Sequence, residues 1–168
     1  IYGGFTIILS YKPMKIFNFF PSRKMRFILG VPNFPKGSTE KTRKILPKKV
    51  ELKNVIANVG GASAITAGML LSNLELIGFG MQMDKIIEVA RAKLYPYFNK
   101  VKMEALKAGA LGVALSGAGP TIIALTDSKT ENIVKIVKAM KKAFESEKIE
   151  AKFYISGISE GAEVIEEE

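Results

Sequence analysis

The stretch Gly112-Val113-Ala114-Leu115-Ser116-Gly117-Ala118-Gly119-Pro120-Thr121-Ile122-Ile123-Ala124-Leu125 constrains the fold more than any other part of the chain. Two β-compatible apolar runs flank the connection Ser-Gly-Ala-Gly-Pro, so the segment reads as strand, tight loop, strand. Two glycines around an alanine leave the loop backbone nearly bare, and a ligand can approach its N–H groups closely. Successive N–H groups of this kind form a concave anion site. Pro120 fixes its own φ and biases Gly119 toward an extended conformation. An ordinary tight turn accounts for the same residues, because short glycine motifs recur widely.

The surrounding pattern supplies the other elements. Residues 5–11 and 14–20 are β-compatible, stopped by Lys12-Pro13 and Pro21-Ser22. Residues 25–31, Met-Arg-Phe-Ile-Leu-Gly-Val, form a more continuous run, as expected of a buried strand. Ser38 or Thr39 caps a short helix that runs to Leu46, where Pro47 ends it. Helical character follows over 52–71, 74–83, 84–94 and 98–108, and the first of these is rich in small residues suited to close packing. The helix over 129–147 carries an apolar stripe of Ile133, Ile136, Val137, Met140 and Phe144, with Lys135, Lys138, Lys141 and Lys142 turned to solvent. A last strand covers 151–155. From residue 25 onward the order is β-α-β-β-α-β, the ferredoxin-like split unit, with extra helices inserted in its first crossover. The fold class is therefore α+β, a four-stranded sheet with helices on one face.

Composition narrows the chemistry. The 168 residues contain neither Cys nor His, which excludes disulfides, thiol nucleophiles, thiolate metal sites and His-based triads within this chain. The net charge of +9 is spread along the chain rather than blocked, so a solvated basic surface explains it better than nucleic-acid binding. No apolar run is expected to reach the length of a membrane span. The chain begins on Ile and lacks a signal-peptide pattern, so it is expected to be a piece of a longer protein. Two arginines stand out. Arg43 lies four residues after Thr39, so both project from one helical face, although a cap and a surface charge explain them equally. Arg91 sits near a helix end, where a cation meets the dipole favourably.

Four stretches together resemble the C-terminal half of homoserine kinases, in the small-molecule kinase superfamily that also holds galactokinase and mevalonate kinase. Ser116-Gly117-Ala118-Gly119-Pro120-Thr121 resembles that superfamily's third motif, a glycine-rich loop in a ferredoxin-like C-terminal domain. Tyr2-Gly3-Gly4-Phe5 is similar to the glycine pair that follows the central substrate-binding segment. Ser38-Thr39-Glu40-Lys41-Thr42-Arg43-Lys44-Ile45-Leu46-Pro47 is similar to a segment of the form Ser-Thr-x-x-x-Arg-x-x-Leu-Pro. Asp84-Lys85-Ile86-Ile87-Glu88-Val89-Ala90-Arg91 resembles a segment ending in a substrate-binding arginine. The chain departs from the pattern at Ala118, where Ser is usual, and at Val89, where Pro is frequent. The superfamily's loop Pro-x-x-x-Gly-Leu-Gly-Ser-Ser is nowhere in it.

The resemblance implies transfer of the γ-phosphoryl of ATP to the hydroxyl of L-homoserine, a step of threonine biosynthesis in the cytoplasm. It implies Arg43, Arg91 and Thr39 as substrate ligands, with Ser116, Gly117, Ala118 and Gly119 at the phosphate end. ATP and Mg²⁺ would be bound mainly by the preceding half, which would also be this chain's partner. A homodimer is implied, with no nucleic acid, no membrane and no resident metal. Residues 1–22 would be terminal strands of the preceding domain and 23–168 the C-terminal domain. The catalytic base is unassigned, since nothing in the spacing of Glu40, Asp84 and Glu88 singles one out. Two other readings stay open: a related kinase acting on a mevalonate- or shikimate-type acid, and a non-catalytic ferredoxin-like binding module.

Overall fold

The computed structural model describes residues 1–35 and 39–165, with Thr39 and Lys41 described by backbone alone. Its elements run β1 (Phe5–Tyr11), β2 (Met14–Phe19), β3 (Met25–Pro32), α1 (Thr39–Lys44), α2 (Leu52–Leu71), α3 (Leu74–Met81), α4 (Ile87–Ala92), α5 (Phe98–Lys107), β4 (Gly112–Leu115), β5 (Ile122–Asp127), α6 (Thr130–Ser146) and β6 (Ala151–Ser156). The four later strands form one antiparallel sheet in the order β4-β5-β3-β6. That order follows from the β-α-β-β-α-β path, so the ferredoxin-like reading holds. The cap expected at Ser38 lies outside the described residues.

Alternation along β3 drives the sheet onto its helices. Met25, Ile28 and Ile122 are fully buried, and so are Ile136 and Met140 on the inward stripe of α6. An aromatic cluster fills the space between sheet and helices. Tyr97 stands 5.3 Å from Phe34 and 5.3 Å from Phe144, centroid to centroid, and Tyr95 lies 6.1 Å from Tyr97. Such offset contacts add to the burial of large rings. The lysines of α6 named above are all exposed.

α2 corrects one expectation. It is 20 residues long with a mean hydropathy of 1.4 over its best window, long and apolar enough by composition to cross a membrane. Its small residues conceal that run by eye, yet they hardly lower the average. They serve a helix pair instead. A Cβ on Gly61 would come within 3.0 Å of Gly80 O, and one on Gly68 within 2.7 Å of Ile77, so both glycines set the close approach of α2 to α3. The connection is tight as well: Ser72 takes φ 56°, and the Asn73 side chain accepts from Leu76 N at 3.0 Å. The remaining faces of α2 are open, with Leu52, Ile56, Val59 and Leu71 at 60% exposure or more.

β1 and β2 make a separate two-stranded antiparallel sheet. Phe5 and Phe19 pack against the Met25–Leu125 cluster, while Ile8, Leu9, Tyr11, Met14 and Phe17 are exposed. The last described residues return to this hairpin. Gly4 N donates to Ser159 O at 2.9 Å, and Ala162 N donates to Ile1 O at 3.0 Å.

Candidate functional site

A cleft of about 270 Å³ opens between α2, α3, α4 and the end of β4, lined in part by Asn58, Asp84, Glu88, Arg91, Leu115 and Gly117. A larger concavity of about 790 Å³ lies at the other edge of the sheet, by β6 and the end of α6, and its lining includes none of the candidate site residues named above. Size and chemistry disagree here. Charged side chains line both, with Lys141, Lys148, Glu150 and Lys152 in the larger, but the smaller is the one that holds Arg91 and Gly117.

α4 is short, and its start is built by tertiary contacts. The Asp84 carboxylate accepts from the N–H groups of Ile86 at 2.9 Å, Ile87 at 2.8 Å and Glu88 at 2.9 Å. Asn58 of α2 donates to Asp84 Oδ1 at 2.9 Å and accepts from Lys85 N at 2.8 Å. Burial pushes the Asp84 carboxyl upward, but the Asn58 side chain and three backbone donors outweigh it and hold the group below its ordinary value. The helix expected from residue 84 therefore starts later, at Ile87, with the Asp84 carboxylate taking the N–H groups at its start rather than joining it.

Glu88 projects from the first turn of α4 toward β4. Its Oε2 accepts from Leu115 N at 3.3 Å, and its Oε1 pairs with the Lys102 ammonium. Both side chains are largely withdrawn from water, at 12% and 17% exposure. Burial raises the Glu88 carboxyl above its ordinary value, with Lys102 and the Leu115 N–H opposing and the Asp84 charge adding to the rise. Asp84 and Glu88, two of the three carboxylates left open as bases, are thus engaged in holding structure. The third, Glu40, pairs with Lys44 on an exposed face of α1.

One turn after Glu88, Arg91 donates from Nη1 to Gly117 O at 3.0 Å, while its Nε is buried without a partner. Farther along, Tyr95 donates to Ala118 O at 2.7 Å and Tyr97 to Pro120 O at 2.9 Å. The loop closes on itself through Ser116 N to Thr121 O at 2.8 Å and Gly119 N to Ser116 O at 3.0 Å. Among the described residues no acceptor meets the N–H of Gly117 or Ala118. Gly117 and Gly119 take φ of 57° and 79°. The value at Gly119 corrects the extended conformation expected before Pro120, and the missing Cβ is what allows it.

The structure thus brings Arg91 together with Ser116, Gly117, Ala118 and Gly119. It does not bring Arg43 to them: that residue is exposed on α1 and does not line the cleft. Of Thr39, the backbone opens α1, and its side chain lies outside the described residues. Sequence reasoning missed Asn58, Tyr95 and Tyr97, whose roles depend on contacts 23 to 27 residues away. No periodicity within one helix announces such contacts. Among the described residues, no group of three His, Cys, Asp or Glu side chains could hold a metal ion.

Comparison with known proteins identifies the family and the fold. The family model described as GHMP kinases C terminal matches residues 62–146. A homoserine kinase of Pyrobaculum islandicum is 39% identical over 162 residues, covering 95% of this chain and 53% of that protein. One of Pyrococcus furiosus is 40% identical, covering 96% of this chain and 52% of the relative. The solved homoserine kinase of Cytophaga hutchinsonii superposes with a TM-score of 0.87 at 39% identity, covering 94% of this chain and 49% of that one. The chain spans about half the length of these relatives, matching their C-terminal half. With the matched model covering residues 62–146, half of the chain with the glycine loop inside it, this chain belongs to the GHMP kinases and carries their C-terminal fold.

Proposed function

We propose that this chain is the acceptor-side half of a homoserine kinase, which transfers the γ-phosphoryl of ATP to the hydroxyl of L-homoserine. The observation that carries the reading is the meeting of Arg91 with the glycine loop in one small cleft. A guanidinium with a buried, unpartnered Nε suits the carboxylate of an amino-acid acceptor, because it offers donors in a fixed fork. Beside it, the open N–H groups of Gly117 and Ala118 suit phosphate oxygens. Phosphoryl transfer rests mainly on positioning and on charge stabilisation. Arg91 holds the acceptor, and the loop amides receive charge at the donor end. The acceptor oxygen attacks the γ-phosphorus as the bond to the β-γ bridging oxygen breaks, and the hydroxyl proton passes to solvent.

Arg43 and Thr39 belong to the proposal on sequence resemblance alone, as a second side of the acceptor pocket. The loop amides fit phosphate, and Mg²⁺ enters as a companion of the ATP phosphates. The exposed apolar residues of α2 and of the β1–β2 hairpin fit a surface covered by the preceding half that the relatives carry. On this division residues 1–22 complete the preceding domain and 23–168 form the C-terminal one. A cytoplasmic homodimer completes the proposal, by the same resemblance.

The test is ADP release from Mg-ATP with a panel of acceptors: L-homoserine, mevalonate and shikimate. The kinase comprising this chain and the preceding half should prefer L-homoserine, and this chain alone should release no ADP. Preference for another acid would replace the substrate assignment. Turnover by this chain alone would overturn the division of labour.

A further inference from the structure

Tyr95 is almost wholly buried, at 2% exposure, and touches the glycine loop twice. Its hydroxyl donates to Ala118 O at 2.7 Å. Its ring lies against Gly119, where an added Cβ would collide with ring carbons and with the hydroxyl. Burial, opposed by the Arg91 charge, raises the phenol above its ordinary range, so it stays a donor at neutral pH.

These contacts have a direction. Arg91 and Tyr95 hold the successive carbonyls of Gly117 and Ala118. The N–H groups of the same two residues meet no acceptor among the described residues. A peptide plane fixed by its carbonyl has its N–H fixed too, since the two point opposite ways across one rigid unit. Holding Ala118 O therefore aims the N–H of Gly119 back at Ser116 O, where it closes the turn at 3.0 Å. The Gly117 carbonyl, held by Arg91, aims the Ala118 N–H outward. Tyr95 locks the closed turn from which the open amides project.

We propose that Tyr95 is a positioning residue for the phosphate donor: by clasping Ala118 O and packing on Gly119 it presets the loop whose Gly117 and Ala118 amides receive a nucleotide phosphate. This rests on the homoserine kinase reading for the identity of the donor, but the clasp itself is geometry of this chain. Tyr97 offers a comparison. It is equally buried and donates to Pro120 O, past the open amides, from within the aromatic cluster.

The test compares Tyr95→Phe and Tyr97→Phe in the kinase that includes the preceding half. Each substitution removes one hydroxyl and leaves the ring. Both should lower thermal stability by a similar few degrees. Tyr95→Phe should lower kcat/KM for Mg-ATP about tenfold, with KM for L-homoserine within about twofold of the parent, whereas Tyr97→Phe should leave both within about twofold. Calorimetric titration with a non-hydrolysable Mg-ATP analogue should show the same separation. Equal donor kinetics for the two variants, or an equal loss on donor and acceptor sides for Tyr95→Phe, would overturn the assignment. If the parent phosphorylates no homoserine, the functional reading fails, and the titration still decides whether Tyr95 sets nucleotide affinity.

Discussion

Nη1 of Arg91 donates to the carbonyl oxygen of Gly117 at 3.0 Å, tying the last turn of α4 to the tip of the glycine loop. One side chain thereby borders both regions assigned above, the acceptor pocket and the phosphate end. Replacing it should act on both substrates, on the acceptor through the lost guanidinium and on Mg-ATP through the freed Ala118 amide. Arg91→Ala should raise KM for L-homoserine by about 10- to 100-fold, the loss expected for a charge-assisted pair. Arg91→Lys should recover only part, since an ammonium lacks the planar fork. Steady-state kinetics on both substrates check this, and an unchanged acceptor KM would remove Arg91 from the pocket.

Asp84 links α2 to α4 through Asn58 and three backbone amides. Asp84→Ala should cost about 1–2 kcal/mol, the usual worth of a helix cap. The folded carboxyl binds its proton less tightly than the unfolded one, whose ordinary value is 3.8. Its contribution is therefore complete above that value and fades as pH falls through the lower folded value. Urea unfolding of parent and variant at neutral pH and near pH 3 should show the gap shrinking in acid.

The buried Glu88 carboxyl behaves in the opposite sense. Its folded value is raised above the ordinary 4.5, so the folded state binds the proton more tightly. That contribution is complete below 4.5 and is lost as pH rises through the raised value. Glu88→Gln keeps an acceptor for Leu115 N but cannot ionise, so it should gain stability relative to the parent across that window. Unfolding midpoints between pH 4 and pH 7 read the difference directly. Lys102→Met should cost about 2–3 kcal/mol at neutral pH by leaving the carboxylate without its cation, and adding Glu88→Gln should recover much of it.

Gly119 and Gly117 differ in surroundings although both take positive φ. A Cβ at Gly119 would enter the Tyr95 ring, whereas one at Gly117 would meet nothing within 4 Å. Gly119→Ala should thus destabilise by about 2–3 kcal/mol and Gly117→Ala by about 1 kcal/mol, the cost of φ alone. Thermal melts of the two variants make the comparison, and equal losses would show that Tyr95 does not pack on the loop.

Sequence by itself determined the elements and their path. The apolar runs from Met25 to Val31 and around the glycine turn, with the striped helix that ends near Ser146, leave little choice but a split β-α-β-β-α-β sheet. Local patterns of period two and 3.6 are written in neighbouring residues, which is why they were legible. Tertiary structure decided what those elements hold. Asn58 holds the Asp84 carboxylate 26 residues on, Glu88 accepts from the Leu115 amide of β4, and Tyr95 and Tyr97 reach the loop carbonyls. It also set Arg91 on the glycine turn and left Arg43 exposed on α1, outside that cleft. Hydrogen bonds and ion pairs act across about 3 Å of space regardless of chain separation, so only the packed fold assigns their partners.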